Sequence, residues 1–333
     1  MIRGDGPKVP RYPLALIHPL GPLFRHLPLS LRRHLLFLRA FGRWGNFRKP
    51  RTYREKAQWR TINDRRPRLA FAQDKLAVKE YAQTIAASLG ESIRIPETYW
   101  VGRDLRELQA LSHTLPARWV LKPNHSAGRY CLIDAPLSPT QWEELVRTCS
   151  SWVERDEEEL VMGHWAYGQA RHLLIAEERV GDGAHAPNDL KVSCFDGTPA
   201  YYFWANRAST PIRLAFFTPS GTQFRWGDPT EGASNADSGW MQPTEHVRER
   251  MMRIAAAIAA PFDLIRVDFY VDGETLWFGE LTLYGAGGLY LIDQVNNERF
   301  GALWQLPDLN APEPREAEWR ALLHGTPQGT LQR

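Results

Sequence analysis

The chain has 333 residues, 43% hydrophobic and 24% charged, which excludes a disordered or collagen-like protein and leaves room for two lobes or one large elaborated domain. Three cysteines, Cys131, Cys149 and Cys194, with no C-x-x-C pair exclude a disulfide framework and a thiolate zinc site and suit a reducing, cytoplasmic setting. The net charge of +3 conceals a split: residues 1–54 carry 12 Lys/Arg against Asp5 alone, so a basic arm precedes an acidic body.

In chain order, Tyr12–Phe24 is apolar but interrupted by Pro13, His18, Pro19 and Pro22, with no small-residue cleavage site after it, so it does not read as a signal peptide. No apolar run approaches the roughly 18 residues of a spanning helix. Ser30–Arg43 alternates Leu31, Leu35, Leu36, Leu38 and Phe41 with arginines and predicts an amphipathic helix. Thr52 and Glu55 have the spacing of a capping box and open a helix through Trp59. Asp74 can cap the next helix, which runs through Leu76, Tyr81, Ile85 and Leu89 to Gly90.

Ile93–Val101 predicts a strand, Asp104–Leu111 a helix, Trp119–Pro123 a short buried strand and Pro139–Trp152 a helix capped by Ser138. His172–Val180, Leu190–Phe195 and Tyr201–Ala205 predict strands, and Thr218–Pro243 a long loop. Glu245–Ala260 is a helix ended by Pro261. Leu264–Val271 and Leu276–Leu283 form a hairpin about the Asp272-Gly273 turn signal. Helices and strands alternate, so the class is mixed α and β. The divisions are an arm at 1–52, an α/β segment at 53–115, lobes at 116–185 and 186–305, and a tail at 306–333.

The hairpin carries the strongest chemistry. Arg266, Asp268 and Tyr270 alternate with apolar Ile265, Val267, Phe269 and Val271 and share one face; Glu280 and Thr282 share a face of the second strand. Two carboxylates on one side can grip one or two hard cations. Whether they share a side depends on register. Paired residue numbers summing to 546 make Asp268 and Glu280 diagonal neighbours, roughly 7–8 Å apart, and a sum of 548 sets them opposite at about 4.5–5.5 Å. A two-residue loop would split them across the sheet. The plainer alternative is a polar outer face on which Arg266 pairs with a carboxylate. Gly285, Gly287 and Gly288 follow, and leave backbone amides free to approach a ligand.

Lys122 ends a strand before the small polar loop Asn124-His125-Ser126-Ala127-Gly128, which can surround phosphates with one charge and several amides. Neither a P-loop nor a G-x-G-x-x-G dinucleotide motif is present. Glu177 and Glu178 end an apolar strand, and Lys191 lies near the start of another.

These motifs, in this order, resemble the ATP-grasp enzymes, and more narrowly the TupA-like ATP-grasp family associated with teichuronopeptide and other polysaccharide biosynthesis. The likeness begins near Asn46–Pro50 and Glu55-Lys56. It continues through Asp74-Lys75, Val120–His125, Glu177-Glu178 and Asp189–Lys191, and ends at Arg266–Asp268 and Gly279–Thr282. The resemblance implies an ATP-grasp fold, two α+β lobes sandwiching a nucleotide, with a shortened or atypical N-terminal region. It implies that Lys75 and Lys122 contact ATP phosphates under a closing loop of Asn124, His125, Ser126 and Gly128. Glu177, Glu178 and Val180 would form the nucleotide hinge, faced by Lys191. Asp268, Glu280 and Thr282 would hold one or two Mg²⁺ ions, Thr282 standing where the wider superfamily usually has Asn. Arg266 would stabilise the reacting acyl group, and Lys191 is the second catalytic candidate.

The activity so implied is a carboxylate–amine ligase acting through an acyl phosphate, joining an amine or amino acid to a sugar or glycan carboxylate. Arg207 and the loop glycines Gly287 and Gly288 are the candidate substrate contacts. A phosphotransferase on the same fold and a non-catalytic nucleotide or glycan binder are the rival readings. The arm is expected either to pack on the acidic body or to touch an anionic surface, such as a membrane met through residues 11–45 or an acidic polysaccharide. Nothing else in the chain supports nucleic-acid binding.

Overall fold

The computed structural model describes residues 2–4, 24–154, 161–181, 188–206, 213–227 and 242–324. The elements, in order, are β1 (Ile2–Gly4), α1 (Leu29–Phe41), α2 (Tyr53–Asn63), α3 (Pro67–Ala72), α4 (Lys75–Ser88), β2 (Thr98–Gly102), α5 (Leu105–Ala110), β3 (Arg118–Pro123), β4 (Cys131–Asp134) and α6 (Pro139–Cys149). There follow β5 (Leu174–Glu178), β6 (Asn188–Phe195), β7 (Thr198–Asn206), β8 (Arg213–Phe217), β9 (Gln223–Phe224), α7 (Glu245–Ala259), β10 (Leu264–Asp272), β11 (Thr275–Thr282), α8 (Gln294–Leu303) and α9 (Glu316–His324).

The strands form two antiparallel sheets, one ordered β1-β4-β3-β5-β2 and the other β11-β10-β6-β7-β8-β9. Each has its own core. Trp119, Leu121 and Ile133 of the first sheet pack against Trp142 and Leu145 of α6 and Leu105 and Leu108 of α5. Cys131 and Cys149 meet in that core with sulfurs 3.6 Å apart, as free thiols.

The second sheet is covered on both faces. Ile265, Val267 and Phe269 pack against Val247, Met251, Ile254 and Ile258 of α7, and each such buried side chain contributes about 1.5–3 kcal/mol. On the opposite face Tyr201, Phe216 and Phe195 meet Tyr53 of α2, Trp226, and Phe300 and Trp304 of α8 or its end. Trp319 of α9 is fully buried against Phe71 and Tyr81, so part of the expected tail belongs to this core.

Helix starts follow the caps in the sequence. Thr52 and Glu55 make a reciprocal capping box, Ser138 and Gln141 another, and the Asp74 carboxylate accepts the Ala77 N–H. The predicted strand at Ile93–Val101 is confined to β2, because Arg94 leaves the first sheet to bridge Trp277 of β11. Short β4, β8 and α3 lack a periodic signature long enough to announce them. Of the expected loop at Thr218–Pro243, residues 228–241 lie outside the described residues, as does Arg207.

The basic helix packs on the body. Phe37 and Leu36 are buried, and Gly42 ends the helix in a left-handed conformation, its N–H donating to Leu38. Arg33 is buried too. It donates to Gln58 Oε1 at 2.7 Å, to the Met162 carbonyl at 3.1 Å and to the Gly287 carbonyl at 2.9 Å. Among the described residues no helix is long and apolar enough to cross a membrane.

Candidate active site

The hairpin β10–β11 turns through two residues, Gly273 and Glu274, and pairs Asp272 with Thr275 and Phe269 with Phe278. That is the register expected to separate the two carboxylates. The register then shifts by one residue between Asp268 and Phe269, and beyond the shift Asp268 pairs with Glu280 and Arg266 with Thr282. Gly279 is the extra residue of this β-bulge; a Cβ on it would lie 3.1 Å from the Asp268 carbonyl oxygen. The bulge puts both carboxylates on one face.

Asp268 is buried and doubly paired. Arg266 grips it with Nε and Nη2, both at 2.7 Å, and Nη2 also donates to Thr282 Oγ1 at 2.9 Å. Lys191, across β6, donates to Asp268 Oδ2 at 2.8 Å and to Asp189 Oδ1 at 2.6 Å. Burial works against the Asp268 charge, but Arg266 and Lys191 outweigh it and hold the carboxyl below its ordinary range. Burial likewise opposes the Arg266 charge, and Asp268 overrides it and raises the guanidinium.

Lys75, at the start of α4, joins the two sheets. Its Nζ donates to the Ser126 carbonyl at 2.6 Å and lies 3.6 Å from Glu280 Oε2. The loop after β3 is fixed to the same helix. Asn124 donates to Asp74 Oδ2 at 2.8 Å and accepts the Leu76 N–H at 3.0 Å, while Arg171 pairs with Asp74 at 2.6 Å. His125 stacks on His172 with ring centroids 3.9 Å apart; burial, then the neighbouring His172, pulls it down to about 3. The Ser126 hydroxyl is buried without a hydrogen-bond partner. Gly128 has φ +74°, with open space around it.

Lys122 and Lys79 share one buried carboxylate, that of Glu177. Lys79 reaches Oε2 at 2.7 Å and Lys122 reaches Oε1. Burial pushes Glu177 up, and the two ammonium groups more than reverse this. Burial lowers Lys79 despite its partner. Glu178 accepts the Glu97 N–H at 3.2 Å, and Val180 lies just beyond β5.

Sequence reasoning missed Lys79 and Asp189 as members of the charge network. The signals were present: Lys75 and Lys79 are four apart on one helix, and Asp189 and Lys191 alternate on one strand face. The structure brings Lys191, Arg266, Asp268, Glu280 and Thr282 together, with Lys75 and Ser126 facing them. Gly287 and Gly288 stand after β11 in a turn with φ +60° and +77°, their carbonyls tied to Arg33 and Gln58.

Two antiparallel α+β lobes with lysines and carboxylates converging between them define an ATP-grasp fold. The model of the TupA-like ATP-grasp family matches residues 55–304, and the chain belongs to that family. No curated protein matches it. Among solved structures it is similar to the Bacillus anthracis D-alanine–D-alanine ligase complexed with ATP (13% identity, 64% of this chain and 55% of that one, TM-score 0.36). It is also similar to the ATP-grasp ligase PsnB complexed with minimal precursor (11%, 70% and 60%, 0.35) and to the N5-carboxyaminoimidazole ribonucleotide synthetase of Thermus thermophilus (14%, 75% and 51%, 0.34). The chain spans between half and three fifths of the length of these proteins.

Proposed function

We propose that the protein is an ATP- and Mg²⁺-dependent carboxylate–amine ligase. The observation that carries this reading is the bulge-enforced pairing of Asp268 with Glu280, on the face that also presents Arg266 and Lys191. Among the described residues no group of three or more His, Cys, Asp or Glu converges on a metal position. In this reading Asp268, Glu280 and the Thr282 hydroxyl are the donor set, and their hard oxygens fit Mg²⁺. Bound Mg²⁺ would neutralise phosphate charge as a Lewis acid.

The chain's own residues supply the rest. Lys191 holds two carboxylates, so it can stay on Asp189 while Asp268 turns to a metal. Lys75 and Lys122 would offset the phosphates of ATP, and the unpartnered Ser126 hydroxyl suits a phosphate oxygen. In the reaction a substrate carboxylate oxygen takes the terminal phosphoryl group, ADP leaves, and an amine displaces phosphate from the acyl carbon, losing a proton. Arg266, on the same face, would supply the positive charge that stabilises the oxyanion of that second step. Closure of the 124–128 loop would keep water from the acyl phosphate.

The carboxylate substrate we favour is a sugar or glycan acid and the amine an amino acid, as the family's association with polysaccharide biosynthesis suggests. Screening amino acids with acidic sugars for Mg²⁺-dependent ADP release tests the proposal. An amide product supports it, whereas a phosphorylated sugar makes the protein a phosphotransferase, and no turnover with any pair supports a binding role.

A further inference from the structure

Residues 24–54 contain nine Lys/Arg and no acid, and the structure divides these cations by use. Arg32 donates to the Val161 carbonyl at 2.6 Å, Arg33 is wholly buried, and Arg54 donates to the Tyr290 carbonyl at 2.8 Å while lying over the Phe41 ring. These three fasten α1 to the body. Arg39, Arg43, Arg48, Lys49 and Arg51 are exposed in the last turn of α1 and the loop after it.

That loop is a folded display. Glu55 accepts the backbone N–H groups of Asn46, Arg51 and Thr52 at 3.1, 3.2 and 3.3 Å, and Asn46 Oδ1 accepts that of Lys49 at 3.0 Å. The Glu55 carboxylate is thereby committed to backbone and reaches Arg43 only at 3.8 Å. Amid the cations Trp44 is 55% exposed, and Leu31 of α1 is 41% exposed.

We propose that this surface, Arg39 to Arg51 with Trp44, docks the protein on an anionic lipid bilayer. Each Lys or Arg near a negatively charged leaflet strengthens binding about fivefold, and indoles settle at the headgroup level. A polyanionic chain would also stack on the indole but gives no use to the exposed Leu31, whereas a bilayer takes the cations, the indole and the leucine together. The family model begins at residue 55, after the patch. Through Arg33, α1 is bonded to the Gly287 carbonyl, so docking would hold the glycine loop near the bilayer.

The test is sedimentation of the full chain with vesicles of phosphatidylcholine alone or with about one third phosphatidylglycerol, at about 0.1 M salt. Wild type is expected to sediment with the anionic vesicles only. Arg39→Glu/Arg43→Glu/Lys49→Glu is expected to bind at least about a hundredfold more weakly, with an unchanged unfolding midpoint. Trp44→Ser is expected to weaken binding about tenfold. Absence of wild-type binding to anionic vesicles, equal binding by the triple variant, or retention on heparin without vesicle binding would each overturn the proposal. The assay needs no substrate, so its outcome is independent of the ligase reading.

Discussion

Glu280 faces Asp268 because Gly279 is bulged between Glu280 and Phe278. A two-residue turn alone would direct one carboxylate into the core face beside Phe278 and Val267. One extra residue reverses this for everything beyond it, and the same shift brings Thr282 opposite Arg266.

Deleting Gly279 would join Phe278 to Glu280 and remove the extra residue while leaving Glu280 opposite Asp268. The expected result is a folded protein whose Mg²⁺-dependent turnover stays within about tenfold of wild type. A loss as large as that of Glu280→Gln would show that the bulged geometry itself, beyond the pairing, is required.

Glu177 is the counter-ion of two lysines. Glu177→Gln leaves buried Lys79 beside half-buried Lys122 with no carboxylate between them, and destabilisation of about 3 kcal/mol is expected in urea unfolding. The folded carboxyl lies below its unfolded value, so its contribution is complete above that value and fades as pH falls through the folded one. The variant should therefore approach wild type at low pH. A constant difference at every pH would contradict this.

Arg33 has no carboxylate within ion-pair distance among the described residues; its guanidinium is held by two carbonyls and an amide oxygen. Arg33→Met is expected to cost about 1–3 kcal/mol. Hydrogen exchange should rise at 161–164 and 285–289, the segments Arg33 ties together, while β3 and β5 remain protected. Uniformly raised exchange would instead mean global loosening.

His125 is buried neutral, with a folded pKa of about 3 below the usual 6.5. The unfolded chain binds the proton first, so stability is full above about pH 6.5 and falls as pH drops toward 3. Between pH 6.5 and about pH 5 this single group should remove about 2 kcal/mol. His125→Asn should flatten that part of the pH profile; an unchanged slope would place the titration elsewhere.

Much of this was legible in residues. Alternation in Leu264–Val271 gave the face of Asp268, and Asp74, Thr52 and Ser138 marked helix starts. The bulge was not legible, because a lone glycine in a strand fits either register. Arg33 sat among leucines in a pattern that reads as a solvated basic face; its carbonyl acceptors lie 129 and 254 residues away, beyond any local signal. Lys122 was recognisable as a strand-end cation, but its carboxylate partner only appears once β3 pairs with β5. Trp319 lies in a short helix that only its burial against Phe71 explains.

ADP release by Glu280→Gln beside wild type, with ATP, Mg²⁺ and the substrate pair found by screening, tests the Asp268–Glu280 metal pair most directly. The variant is expected to fold with an unchanged midpoint, since the ion pair of Glu280 among the described residues is the long 3.6 Å one with Lys75, and to lose at least about a hundredfold in kcat. Turnover equal to wild type would contradict the assignment of the Asp268–Glu280 pair as the metal-holding centre.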